Sequence, residues 1–94
     1  MKELEAIRAE LDAVDLELVA LVEKRMALAE EVAACKQARG LPVLDASREE
    51  AVLASRVAML KNQALAEDIR ALYRLLMAQS RARQEAFLRE GPSC

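Results

Sequence analysis

The sequence predicts an all-α protein of three helices, the first of them unusually long. Three observations carry that expectation. Ala, Leu, Glu and Arg dominate the 94 residues and are strong helix formers, whereas Tyr and Phe occur once each, which disfavours an aromatic β-core. Apolar residues from Leu4 onward recur at alternating steps of three and four, the spacing of a helix with one apolar seam. The glycines and prolines, two of each, cluster in only two places, "GLP" and "GPSC".

Helix 1 carries its apolar line at Leu4, Ile7, Leu11, Val14, Leu18 and Leu21, and resumes it at Leu28, Val32 and Cys35. Arg25 fills the one missing place. Nothing interrupts the pattern before Gly40, so the helix should run from about residue 3 to about residue 38. Gly40 then terminates it and Pro42 forbids continuation. Asp45 or Ser47 caps helix 2, with Ser47 and Glu50 at capping-box spacing. Helix 2 is expected to reach Lys61, carrying Val52, Leu53, Val57 and Leu60. Asn62 and Gln63 punctuate the chain, and helix 3 extends from near Leu65 to near Arg89. Its apolar residues include Ile69, Leu72, Tyr73, Leu76, Met77 and Phe87. Residues 1–90 read as one domain, and 91–94 as a disordered tail or linker remnant.

Helix 1 also implies an assembly. Some 36 helical residues extend about 54 Å, whereas a compact domain of this length has a radius of gyration of only about 12 Å. The seam overshoots any globule that its own chain can build. A homodimer with intertwined long helices is therefore expected.

Composition excludes several function classes. Net charge is −2 with acids and bases interspersed, and no basic block, zinc-ligand spacing or aromatic–basic interleaving points to nucleic acid. Histidine is absent, which removes Ser-His-Asp and Cys-His catalysis and most ordinary zinc sites. Cys35 and Cys94 are too few for a disulfide framework and read as free thiols in a reducing cytoplasm. The N-terminus has no apolar signal region, and no run is long enough to span a bilayer.

The informative residues are polar ones standing in apolar lines. On a helical wheel Arg25, Ala29, Val32 and Lys36 form one stripe with a cation at each end. The two ends lie about 16 Å apart along the axis, so long side chains leaning inward can hold a small dianion. The plainer explanation makes Arg25 a register device and Lys36 a surface residue favoured by the helix dipole. Helix 3 tips the balance. Met77, Ser80 and Gln84 share a face, so two hydrogen-bonding groups interrupt a second apolar line. Buried polar groups need partners, and one shared polar ligand explains both lapses together. Asp45, Arg48 and Glu49 at the start of helix 2 add a further cation and an acceptor beside free backbone N–H groups. Arg8 lies about 25 Å up helix 1 from Arg25 and cannot reach the same small molecule within one chain. In an antiparallel dimer a partner's Arg8 can. Its plainer role is a solvated arginine pairing with Asp12.

Arg8, then "LDAVDLELVALVEKRMALAEEVAACK", "GLPVLDASREE" and "SRARQ" resemble the all-helical class of chorismate mutases. The likeness runs from about residue 4 to about residue 88, and all eight polar positions occur in order. It implies a three-helix protomer in an intertwined homodimer, each site completed by Arg8 from the partner chain. The implied reaction is the Claisen rearrangement of chorismate to prephenate, without cofactor, metal or covalent intermediate. Such chemistry needs the substrate folded into a chair-like geometry, and donors at the ether oxygen that gains negative charge.

Carried over residue by residue, the resemblance gives Arg25, Arg48 and the partner chain's arginine at position 8 to the carboxylates, helped by Ser80. Lys36 and Gln84 donate to the ether oxygen, and Lys36 also meets a carboxylate. Glu49 and the backbone at Asp45 hold the ring hydroxyl, and Val32, Val52 and Met77 form apolar walls. Lys36, Gln84 and Arg25 are the catalytic candidates. Two alternatives remain at this point: an isochorismate pyruvate lyase of the same fold, and a helical dimerisation module without catalysis. The related domains are often fused to other enzymes of aromatic biosynthesis.

Overall fold

The computed structural model describes residues 2–90, which form α1 (Leu4–Ala38), α2 (Ala46–Ala58), a 3-10 turn (Gln63–Leu65) and α3 (Ala66–Glu90). Among the described residues there is no strand. The all-α, three-helix expectation holds, with α1 by far the longest element at 35 residues.

Gly40 ends α1 because it, alone among the described residues, adopts a left-handed backbone, with φ +66°. The Leu41 N–H donates to the Lys36 carbonyl at 2.8 Å and the Gly40 N–H to the Gln37 carbonyl at 3.2 Å. These are the two bonds of a Schellman closure, and they turn the chain back towards α2.

Of the two expected caps of α2, Asp45 is the one used, and the Ser47–Glu50 capping box does not form. The Asp45 Oδ1 accepts from the Arg48 N–H at 3.1 Å. Ser47 lies inside the helix, and its hydroxyl donates to the same Asp45 oxygen at 3.1 Å. With Asp45 holding the cap, Ser47 has no call to pair with Glu50. The other end differs from expectation: α2 stops at Ala58, short of Lys61. Gln63 is the reason. Its Nε2 donates to the carbonyls of Val57 (3.0 Å) and Leu60 (2.9 Å), adding a side-chain donor to the carbonyls where the helix ends. The neighbouring Asn62 side chain accepts from the Ala64 N–H at 3.1 Å and opens the 3-10 turn.

Helix α3 packs against both α1 and α2. The buried apolar residues are Ala29 and Ala33 of α1, Val52 of α2 and Met77 of α3. Gln84 is the buried polar residue among them, only 5% exposed. The alanines let α3 approach α1 closely at this end of the molecule. The other end of α1 has no such cover: Leu11 and Leu21 are 54% and 62% exposed, and Leu4, Ile7, Val14 and Leu18 are exposed as well. The radius of gyration is 16.7 Å, well above the roughly 12 Å of a compact chain of this length. A single chain thus leaves the apolar seam of its longest helix in water.

Among the described residues no helix is long and apolar enough to cross a membrane. Cys35 is an exposed free thiol, while Cys94 and the rest of the tail lie outside the described residues.

Candidate active site

Where the three helices converge they enclose a pocket of about 350 Å³, within the range of small-molecule sites. From α1 come Arg25, Val32 and Lys36, and from the start of α2 come Asp45, Arg48, Glu49 and Val52. Helix α3 supplies Met77, Ser80 and Gln84. Every predicted site residue except Arg8 therefore faces one cavity. Arg8 sits on the exposed end of α1 and, among the described residues, makes no salt bridge; the Arg8–Asp12 pair does not form.

A chain of hydrogen bonds crosses the pocket floor. Lys36 Nζ donates to the Val43 carbonyl at 2.5 Å and to Gln84 Oε1 at 3.2 Å. Gln84 Nε2 in turn donates to Ser80 Oγ at 3.2 Å. Lys36 is placed for this because it stands in the last turn of α1, where the Schellman turn brings Val43 back beneath it. An ammonium has three N–H groups and a primary amide has two. Among the described residues, Lys36 and Gln84 each keep one N–H without a protein acceptor.

The cation at the other end of the α1 stripe is held differently. The Arg25 guanidinium carbon lies 5.8 Å from the centre of the Tyr73 ring, and that of Arg56 lies 5.9 Å from the same centre. A ring face attracts both cations and competes with neither for a carboxylate. Among the described residues, Arg25 and Arg56 form no salt bridge.

Glu49 is not free in the pocket. Arg81 Nη1 lies 2.5 Å from both of its carboxylate oxygens, and both side chains are partly buried. Asp45, by contrast, is spent on the helix cap. The Arg48 backbone N–H, and after it the Ser47 hydroxyl, holds its carboxyl below the ordinary aspartate value of 3.8.

Two charged lining residues, Arg56 and Arg81, are not among those the sequence singles out, and neither are the apolar lining residues Leu28 and Val43. Helical spacing carried a signal for each arginine. Arg81 stands at i+4 from Met77, and Arg56 at i+4 from Val52, so both fall on faces already assigned to the site. With them the pocket is lined by five cations (Arg25, Lys36, Arg48, Arg56, Arg81) against two carboxylates (Asp45, Glu49). The chain as a whole carries −2, so this concentration of positive charge is local. Arg81 is neutralised by Glu49, so Arg25, Lys36, Arg48 and Arg56 carry the excess, which suits a small ligand bearing more than one negative charge.

The family model of chorismate mutase type II matches residues 7–85. A T-protein of Haemophilus influenzae is 33% identical over 88 residues, which are 93% of this chain and 23% of that protein. A bifunctional chorismate mutase/prephenate dehydratase of Enterobacter agglomerans is 36% identical over 86 residues, 90% of this chain and 22% of its own length. A chorismate mutase of Methanocaldococcus jannaschii is 28% identical over 91 residues, 96% of this chain and 92% of its own. The chain thus spans less than a quarter of the first two relatives and nearly all of the third. No solved structure matches. With the family model covering most of its length, the chain belongs to the chorismate mutase type II family.

Proposed function

We propose that this chain catalyses the Claisen rearrangement of chorismate to prephenate, on the route to phenylalanine and tyrosine. The observation that carries the reading is the hydrogen-bonded Lys36–Gln84–Ser80 chain set in a cation-rich pocket. Chorismate has two carboxylates, a ring hydroxyl and an enolpyruvyl ether. Its [3,3] rearrangement needs no nucleophile and no proton transfer. Bond cleavage and bond formation are concerted, so the protein's task is to hold the chair-like conformer and favour the charge that builds on the ether oxygen.

Each pocket residue takes a part in that task. Arg25 and Arg48 bind the carboxylates, helped by Ser80. The uncommitted N–H groups of Lys36 and Gln84 donate to the ether oxygen, with Lys36 also touching a carboxylate. Both donors are pre-aimed by the bonds that they already make, so little reorganisation is needed as charge develops. Glu49 accepts from the ring hydroxyl, and the backbone at Asp45 meets the same group. Val32, Val52 and Met77 supply apolar contact to the ring and exclude water.

In this reading the working unit is a homodimer built from residues 1–90. A second α1 covers the exposed seam from Leu4 to Leu21, and its Arg8 reaches this chain's pocket. The enzyme acts in the cytoplasm, alone or fused to another enzyme of the pathway. The bifunctional relative supports the fused arrangement and the Methanocaldococcus relative the free one.

The test is to incubate purified protein with chorismate, without added metal, and follow loss of chorismate absorbance as prephenate appears. A parallel incubation with isochorismate should yield no salicylate. Salicylate without prephenate would identify a lyase, and neither product would leave a dimerisation module.

A further inference from the structure

We infer that Arg81 is a positioning residue for Glu49, fixing the carboxylate that receives the substrate's ring hydroxyl. The inference rests on the chorismate reading of the pocket and adds a member to the site. Arg81 Nη1 stands 2.5 Å from both Glu49 oxygens, and both residues line the cavity. Glu49 belongs to the first turn of α2 and Arg81 follows Ser80 on α3, so their pairing joins the two walls of the pocket.

The geometry leaves Glu49 able to work. An ionised carboxylate offers about four lone-pair directions, and a single nitrogen placed between its oxygens occupies about two. The remaining lone pairs can accept a hydroxyl hydrogen. A glutamate without this contact samples several rotamers and must be ordered when substrate arrives. Arg81 makes that selection in advance. One guanidinium nitrogen carries the whole contact, so a lysine with its single charged nitrogen can stand in, which a two-nitrogen fork would not permit.

The test compares kcat/KM for wild type, Arg81→Ala, Arg81→Lys, Glu49→Ala and the Arg81/Glu49 double alanine. The substrates are chorismate and the analogue with hydrogen in place of the ring hydroxyl. Circular dichroism checks each fold; if Arg81→Ala loses helix, Arg81→Gln takes its place. On chorismate Arg81→Ala should lose about tenfold and Arg81→Lys should recover most of it, the size expected for coupled neighbours. In the Glu49→Ala background, or on the analogue, removing Arg81 should change kcat/KM by less than about twofold. Equal losses in both backgrounds or on both substrates would overturn the inference, because a residue that only pins α2 to α3 harms every substrate alike. If wild type does not convert chorismate, the functional reading falls and this inference with it. Turnover with the wrong pattern sinks the inference alone.

Discussion

Lys36 Nζ lies 3.2 Å from Gln84 Oε1, so the amide of Gln84 is oriented by the lysine, its oxygen towards the ammonium and its nitrogen towards Ser80. This relationship decides what Gln84 can offer a ligand. Its oxygen is taken, and the free capacity is an N–H. Because a neutral amide does not titrate, that donor persists at any ordinary pH.

Gln84→Glu should convert this constant donor into a pH-dependent one. Only the protonated acid can donate, and the carboxylate would repel charge developing on the ether oxygen. An unperturbed Glu titrates at about 4.3; burial at this position pushes the value up, and the Lys36 ammonium pulls it down. The variant is therefore expected to work best in acid and to fail near neutrality, while wild type lacks that acid-dependent rise. The check is the pH profile of kcat/KM. An unchanged profile would remove Gln84 from the breaking bond.

Arg25→Ala should lower kcat/KM by about a hundredfold or more, the scale of losing one well-placed charged donor. Stability should change little. The cation–π contact with Tyr73 is lost, a matter of about 0.5–1 kcal/mol, but repulsion from Arg56 beside the same ring is relieved. Thermal melts alongside the assay separate the two effects. Arg25→Lys should be only partly active, since an ammonium cannot present a guanidinium's planar fork. Near-normal turnover by Arg25→Ala would refute the assignment.

Arg8→Ala and Lys36→Ala should each be nearly inactive alone. A mixed dimer would own one fully wild-type site, combining one chain's Lys36 with the other's Arg8. Unfolding and refolding an equal mixture should restore about one quarter of wild-type activity by random pairing. Verified heterodimers without recovery would place Arg8 outside the shared site.

Asp45→Asn keeps a capping acceptor but removes a titrating group. In the folded chain the Asp45 carboxyl is held below its ordinary value of 3.8 by the Arg48 N–H and the Ser47 hydroxyl. A depressed folded value contributes stability that is present above the unfolded value and fades as pH falls through the folded one. Wild type should thus melt higher than the variant at pH 5–7, and the gap should close below about pH 4. Melting temperatures measured across that range provide the check. A gap that stays constant on acidification would show that the charge of Asp45 has no part in the cap.

The sequence by itself determined the three helices, because each rests on local chemistry. Gly40 and Pro42 end α1 whatever surrounds them, and heptad spacing makes one face of a helix apolar wherever it packs. It also singled out Arg25, Lys36, Ser80 and Gln84, since a polar residue in an apolar line is visible without coordinates. The early end of α2 was less legible. It depends on Gln63 folding back onto Val57 and Leu60, a choice among hydrogen-bond partners that spacing does not reveal. Only the tertiary structure decided the pairings within the site. Glu49 meets Arg81, and Arg25 shares the Tyr73 ring with Arg56, because α3 packs against both other helices and brings together side chains distant in sequence. Helical periodicity fixes which face a residue occupies, but the partner opposite that face is set by how the helices cross and how closely Ala29 and Ala33 let them approach.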